Sequence, residues 1–448
     1  MRLLFKSVYR FHRWVRGVRR WAARRLTPGG VTVLVGLIFA GMFGPDTDNN
    51  VAYQAFTVLF ALLLLAVAFS WSFRARFTVK RNLPQFGTAG IPLSYTVHVR
   101  SLAKRPQSGL TLLENLDEPP PAFDDWLAVR LAADRQARSF RFSSPYRQDP
   151  FRATPTKPSP LGMVSAGQDH EVAMELTPLR RGVLRLAGLT VARPDPLGLF
   201  RAFQNVASPQ SVLILPRRYP LPPIALPGTV KYQEGGVALA ANVGQSEEFV
   251  SLRDYRRGDP LRHIHWRSWA KAGKPVVREF EDEFFVRHAL ILDTFTELPR
   301  SDTFEEAVSV AASFACSVQT QESLLDLLFV GPHSYCFTAG RGLAQVDQLL
   351  EVLASVQPCL DQPFRSLEHL VLGHVEVVSG CICVLLSWNE ERQDFVRKLK
   401  ALGVPVLVLV VQPAGAAHDL DPGPMRDEPD RFRVLPVGKV EQALADLK

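Results

Sequence analysis

Three hydrophobic patterns follow one another along the chain. No charged side chain occurs between Arg25 and Asp46, nor between Asp48 and Arg74. The first of these runs has an apolar core from Val31 to Phe43. The second, Val51 to Phe73, is long enough for a hydrocarbon layer of about 30 Å at about 1.5 Å per residue. Together they predict two transmembrane helices within residues 26–73, the second being the longer. From Phe77 to about Leu221 the apolar positions alternate over short stretches, among them Leu93 to Val99, Ala137 to Phe142, Val172 to Leu176 and Val183 to Val191. That period predicts an antiparallel β-sandwich or barrel-like module over residues 74–230, with the Pro-rich stretch Ser143 to His170 as an irregular excursion. From Val286 onward, apolar runs (Ala289 to Leu292, Leu324 to Val330, Cys381 to Leu386, Val404 to Val411, Phe432 to Val437) alternate with helical patterns such as Asp302 to Thr320. Such alternation predicts a largely parallel sheet with helices on both faces over residues 286–448. The fold class is a multi-domain α+β chain.

The charge has one address. Of 52 Lys and Arg residues, nine lie in residues 1–25, which contain no Asp or Glu; removing those nine leaves 43 basic against 44 acidic side chains. The pI near 9.3 therefore belongs to the N-terminus, and the near-neutral remainder argues against nucleic acid as a partner. Phe11, Trp14, Val15, Val18, Trp21 and Ala22 recur at helical spacing, with Arg10, Arg13, Arg16, Arg20 and Arg24 on another face. The pattern fits an amphipathic helix on an anionic leaflet; a solvated basic tail is the alternative. Cations flank both outer ends of the apolar pair, and acids alone occupy the connection from Gly44 to Asn50. By the positive-inside rule both termini and the soluble domains are expected in the cytoplasm. The five cysteines, odd in number and mostly within apolar runs, predict no disulfide framework, and Cys381 and Cys383 are expected to share one face of a strand.

The densest chemistry lies in Ser251 to Arg278, within a segment bounded at residues 231–285. Leu252, Arg253, Tyr255, Gly258, Asp259, Arg262, Ile264, Trp266 and Ala270 stand there at fixed spacing. Asp259-Pro260 starts a helix well and Gly273 closes one, so a helix over Pro260 to Ala272 is expected, with Leu261, Ile264 and Ala272 facing inward. Three readings are open for the Arg, Tyr, Asp and Trp residues: a buried hydrogen-bonded clamp, a docking surface for a protein, or an anion site. His263 and His265, two apart, would point away from each other on that helix and do not make a metal pair.

This spacing resembles the bacterial family known as domain of unknown function 58, and Arg181-Gly182 with Asp195-Pro196-Leu197-Gly198-Leu199-Phe200 resembles a turn found in its members. The resemblance implies a C-terminal von Willebrand factor A-like domain. It also implies work beside a MoxR-type AAA+ ATPase in maturing or assembling other proteins. That fold often holds a divalent cation with an Asp and alternate hydroxyls after its first strand. Asp293 is present, but Phe295 and Glu297 replace the hydroxyls and Ser387-Trp388-Asn389 offers no carboxylate, so no metal or other cofactor is expected; Thr294, Thr296 and Glu297 are the remaining oxygen donors nearby. No Gly-x-Ser-x-Gly, His-Glu-x-x-His or Walker A sequence occurs, and Gly340-Arg341-Gly342 lacks a third glycine. The expectation is a membrane-anchored, non-enzymatic interaction scaffold; the rival is an envelope hydrolase whose site has no recognisable sequence pattern.

Overall fold

The computed structural model describes residues 2–43, 50–73, 75–103, 106–137, 154–222, 249–256, 264–280, 286–317, 323–340, 343–414 and 420–447. The chain is mixed α+β with several sheets and divides into two compact units. One comprises Met1–Arg217, Leu298–Ser301 and Leu353–Ser355; the other comprises Arg218–Glu297, Asp302–Val352 and Val356–Lys448.

In the first unit, helix α1 (Arg2–Arg25) carries cations at i, i+3 and i, i+4 spacing, which repel along an isolated helix. Docking on helix α4 (Phe123–Ala137) offsets that repulsion. Arg2 pairs with Asp124 at 3.3 Å, Lys6 lies 5.8 Å over the Phe123 ring, and the Tyr9 hydroxyl donates to the Pro121 carbonyl at 2.6 Å. The Tyr9 ring also packs on Trp126, centroids 5.5 Å apart. The alternating pattern had assigned Ala137 to a strand, whereas it ends α4; residues 138–142 of that expected strand lie outside the described residues.

Helices α2 (Pro28–Phe43) and α3 (Asn50–Ser70) follow. A Cβ on Gly36 would lie 3.4 Å from Leu59, and one on Gly41 3.3 Å from Phe56, so the helices contact in antiparallel order. Among the described residues one helix, Val51–Ser70, is long and apolar enough to cross a membrane; the apolar stretch Pro28–Met42 is shorter.

Strands β1 (Phe77–Asn82), β3 (Leu93–Ser101) and β6 (Asp169–Leu176) form one antiparallel sheet in the order β1-β3-β6. A second sheet runs β2-β8-β7-β4-β5, from β2 (Phe86–Thr88), β4 (Leu110–Leu116), β5 (Ser159–Leu161), β7 (Gly182–Pro194) and β8 (Arg201–Leu215); only the β2–β8 pair is parallel. The inward residues of both sheets, Tyr95, Val97 and Val99 on one and Leu112, Leu189, Val191 and Ile214 on the other, share one core. Alternation along β3 thus put its apolar residues on the buried face, as the period of two requires. Part of the expected Pro-rich excursion is β5 and the start of β6; residues 143–153 lie outside the described residues.

A two-residue connection joins α1 to α2 and is fastened to the turn Asp195 to Phe200. The Asp195 carboxylate accepts three backbone N–H groups, from Leu197, Leu199 and Phe200 at 2.9, 2.7 and 2.6 Å, and Gly198 takes a φ of 68°. That geometry holds the turn open to its partner. Leu26 bridges to Phe200, the Thr27 N–H donates to the Leu199 carbonyl at 3.1 Å, and the Thr27 hydroxyl donates to the Gly198 carbonyl. A Cβ on Gly30 would sit 2.0 Å from the Leu199 oxygen, so the first turn of α2 approaches closer than any side chain allows. Leu26, Ala66 and Phe200 form a small apolar cluster around this junction.

In the second unit, strands β9 (Phe249–Asp254) and β10 (Val276–Phe280) make an antiparallel ribbon, with the short helix α5 (Trp266–Ala272) between them. A six-stranded sheet contains β11 (Val286–Leu292), β12 (Ser323–Val330), β13 (Ser334–Ala339), β14 (Gly380–Leu385), β15 (Val406–Gln412) and β16 (Phe432–Pro436). Its order is β13-β12-β11-β14-β15-β16, and every pair is parallel except that of the edge strand β13. Five of these strands coincide with the five apolar runs. Helices α6 (Asp302–Ser317), α7 (Leu343–Ser355, whose last three residues belong to the first unit), α8 (Arg365–Leu372), α9 (Glu390–Ala401) and α10 (Val440–Ala445) complete the unit. Helices α8 and α9 cover the face carrying Ala289, Ile291, Cys381, Cys383 and Val408, while α6 packs on β11, β14 and β15 without joining that cluster and so covers the opposite face. Cys381 and Cys383 are both fully buried there, and burial pushes the Cys383 thiol well above its ordinary range, leaving it an inert apolar filler.

Candidate functional site

Two places in the second unit concentrate functional chemistry. The first is the ribbon and its helix. Val277 stands opposite Arg253 and Arg278 opposite Leu252, while Tyr255 donates its N–H to the Pro275 carbonyl at 3.0 Å. Ile264 is buried and bridges to Val277, and the His265 N–H donates to the Val276 carbonyl at 2.8 Å. These bonds tie residues 264 and 265 to β10, so the helix expected from Pro260 begins instead at Trp266. Gly273 closes it as expected, with a φ of 70° and its N–H on the Trp269 carbonyl at 2.9 Å.

Helix α5 buries none of its residues. Ala272, expected to face inward, is exposed. Trp266 is 65% exposed, and its ring stacks on Trp269 with centroids 5.2 Å apart and planes inclined by 17°. Leu252 and Ala270 are exposed, and Arg253 and Tyr255 half-buried. Gly258, Asp259 and Arg262 lie outside the described residues. The ribbon therefore brings Leu252, Arg253, Tyr255, Ile264, Trp266 and Ala270 into one small element, with the Trp266 indole exposed and Trp269 half-buried.

The second place is the carboxyl end of β11 and β14, where the strand order reverses and open α/β sheets generally take their ligands. Asp293 follows β11 there and is 0% exposed. Both of its oxygens are engaged: Oδ1 accepts from the Phe295 N–H at 3.0 Å and from Arg392 Nη2 at 3.4 Å, and Oδ2 accepts from the Leu386 N–H and Arg392 Nε, each at 3.1 Å. The Arg392 guanidinium lies 4.4 Å over the Phe364 ring. Helix α9 delivers it from an N-cap at Asn389, whose side chain accepts the Arg392 N–H at 3.2 Å.

The Thr294 hydroxyl is spent on the Val330 carbonyl, the Phe295 side chain is apolar, and Glu297 points to solvent. Among the described residues no group of three or more His, Cys, Asp or Glu is placed to hold a metal ion. This donor set does not fit a divalent cation, and Arg392 supplies Asp293 with a positive charge from within the chain. Arg392 was not singled out from sequence, although the signal was present: with Phe395, Val396 and Leu399 it lies on the inward stripe of α9, and it is the only cation there.

Residues 251–418 match the family model Protein of unknown function DUF58. The match begins at the ribbon and runs through β15, so it includes both the Trp266–Trp269 stack and the Asp293–Arg392 pair. A 126-residue stretch is 30% identical to the Uncharacterized protein YeaD of Bacillus subtilis (strain 168), covering 28% of this chain and 31% of that protein. The chain thus matches about a third of the length of that relative. Among solved structures, the CARDB domain of PF1109 from Pyrococcus furiosus is similar at 11% identity with a TM-score of 0.17, over 31% of this chain and 94% of that one. A β-glucosidase from Listeria innocua in complex with glucose is similar at 11% identity and a TM-score of 0.17, over 32% of this chain and 16% of that one. Superpositions that loose carry no functional argument.

Proposed function

We propose that the chain is a membrane-anchored interaction module that presents the α5 ribbon to a protein partner, and that the partner is an AAA+ ATPase of the MoxR type acting on other proteins at the membrane. The observation that supports this reading is the exposed Trp266 ring, stacked on the half-buried Trp269. Large aromatic surface held outward on a short, unburied helix costs free energy in water and is the material from which interface hot spots are made. The partner class rests on the resemblance in the Leu252 to Ala270 segment. The strand order of the second unit, with its antiparallel edge and helices on both faces, supports a von Willebrand factor A-like reading of that unit. Helices α2 and α3, with cations outside both ends, support two spans and a cytoplasmic location for both soluble units.

The test uses the full chain purified from membranes with its co-purifying proteins. Trp266→Ala should leave the melting temperature within about 2 °C of the parent, as surface substitutions do, and should abolish recovery of the ATPase. A normal melt with full recovery of the ATPase would remove α5 as the docking surface.

A further inference from the structure

Helix α1 has two faces with different fates. Phe5, Val8, Tyr9, His12 and Arg16 are half-buried, and the contacts to α4 described above come from this side. At its end, Arg24 Nη2 donates to the Asn115 side chain and Arg25 lies 4.1 Å over the Phe203 ring. The opposite side stays open. Phe11, Trp14 and Trp21 are 65%, 63% and 55% exposed, and Arg10, Arg13, Gly17 and Val18 are exposed beside them. Arg10, Arg13, Trp14, Gly17, Val18 and Trp21 line a shallow, open groove of about 540 Å³. Its residues follow i, i+3, i+4 spacing, so it is a continuous strip on one helix. Nothing lies within 4 Å of where a Gly17 side chain would begin, which leaves the floor of the strip clear.

An ordinary soluble surface does not carry exposed large aromatics such as Phe11, Trp14 and Trp21 along one helix. We propose that this strip is a seat for anionic phospholipid at the bilayer surface. In that seat Arg10 and Arg13 hold the phosphate, and Trp14, Val18 and Trp21 enter the boundary between headgroups and acyl chains. The proposal rests on the membrane-anchored reading. Two observations commit it to lipid. The helix has no acidic residue to repel a phosphate, and the strip runs without interruption toward the short connection that enters α2. Arg and Trp on a helix lying in the interface supply the charge attraction and the amphipathic ring that this layer favours. The clamp on α4 and on the Asp195 turn makes α1 a fixed part of the first unit, so a lipid bound to its outer face sets the angle at which that unit meets the membrane.

The experiment reconstitutes the full chain in nanodiscs of phosphatidylcholine with increasing phosphatidylglycerol, using lipids brominated at shallow acyl positions. Quenching of Trp14 and Trp21 is read as the difference between the parent and the Trp14→Phe, Trp21→Phe variant. Quenching should grow with phosphatidylglycerol, and the amount needed for half of it should rise about fivefold for Arg10→Gln or for Arg13→Gln, the loss expected for one cation near an anionic surface. Gly17→Glu, which places an acid on the open floor without a steric cost, should have a similar effect. Quenching equal in phosphatidylcholine alone, or unmoved by all three substitutions, overturns the lipid seat. Flotation of the same protein with vesicles separates the two failures. A chain that floats with unquenched Trp14 and Trp21 loses only the α1 proposal, and a chain that does not float loses the anchor as well.

Discussion

Each unit buries an arginine against a carboxylate, and the two pairs differ in where they lie. In the first unit Arg81 and Glu114 are 3.0 Å apart between the two sheets, both essentially without solvent contact. The Tyr95 hydroxyl donates to the other Glu114 oxygen at 2.7 Å, and Arg81 Nη1 donates to the Ser208 carbonyl at 2.9 Å and the Gln210 side chain at 3.1 Å. Burial pushes the Glu114 carboxyl up, against the Tyr95 hydrogen bond and the Arg81 charge, which hold it down. Five groups from four strands thus meet in the middle of an apolar core. In the second unit Arg392 and Asp293 lie at the end of the sheet, where backbone N–H groups already point at the carboxylate. The first pair specifies how two sheets register; the second closes a place where ligands usually bind. The same chemistry serves fold specificity in one unit and denial of a site in the other.

The largest expected effect tests the first half of that contrast. Arg81→Met should destabilise the protein by about 3 to 5 kcal/mol, because Glu114 and Tyr95 lose their cation without gaining water, and Arg81→Met with Glu114→Leu should recover much of the loss. Thermal melts on the two variants decide it; equal losses would show that the pair is not energetically coupled. Arg392→Met should cost less, near the low end of the same range, since Asp293 keeps the Leu386 and Phe295 N–H groups at 3.1 and 3.0 Å. Millimolar magnesium should leave the melting temperature of both the parent and this variant unchanged. A magnesium-dependent rise in the parent would contradict the closed site, because a ligand that binds only the native state must raise it.

The smallest effect comes from His288, buried on β11, where burial lowers the affinity of the ring for protons below its ordinary value of 6.5. The folded protein then holds fewer protons than the unfolded chain as pH falls, so the stability contributed by the neutral ring is complete above 6.5 and is lost as pH drops through that value. Melts of the parent should therefore decline between neutral and mildly acidic pH more steeply than those of His288→Leu. Parallel curves would show that this ring is not the group responsible.

Legibility from sequence followed the physics of each element. The strands β11, β12, β14, β15 and β16 were readable because parallel strands covered on both faces must be continuously apolar. The edge strand β13 and the long β8 were missed. Both expose much of their surface, so no clean alternation remains in Ser334 to Ala339 or in Arg201 to Leu215. Helix α4 was missed because it follows Pro119, Pro120 and Pro121 inside a β-rich region and its apolar stripe is weak. At the signature, Asp259-Pro260 and Gly273 mark helix ends in sequence, but the backbone pairing of Ile264 and His265 with β10 outcompetes helix at those two residues. The exposure of Trp266 is a tertiary property, since nothing in the spacing of a tryptophan tells whether a neighbouring sheet covers it. Arg392 was missed, although a lone cation on an otherwise apolar stripe is a signal the sequence carries.

The junction at Leu26 and Thr27 has a mechanical consequence. Two residues separate α1 from α2: Leu26 pairs with Phe200 and Thr27 donates to the Leu199 carbonyl, while Gly30 is packed against that carbonyl with no space to spare. A tether of that kind has no slack. Any load on α2 is carried into the β-module through backbone hydrogen bonds, and it bears first on the β7–β8 turn.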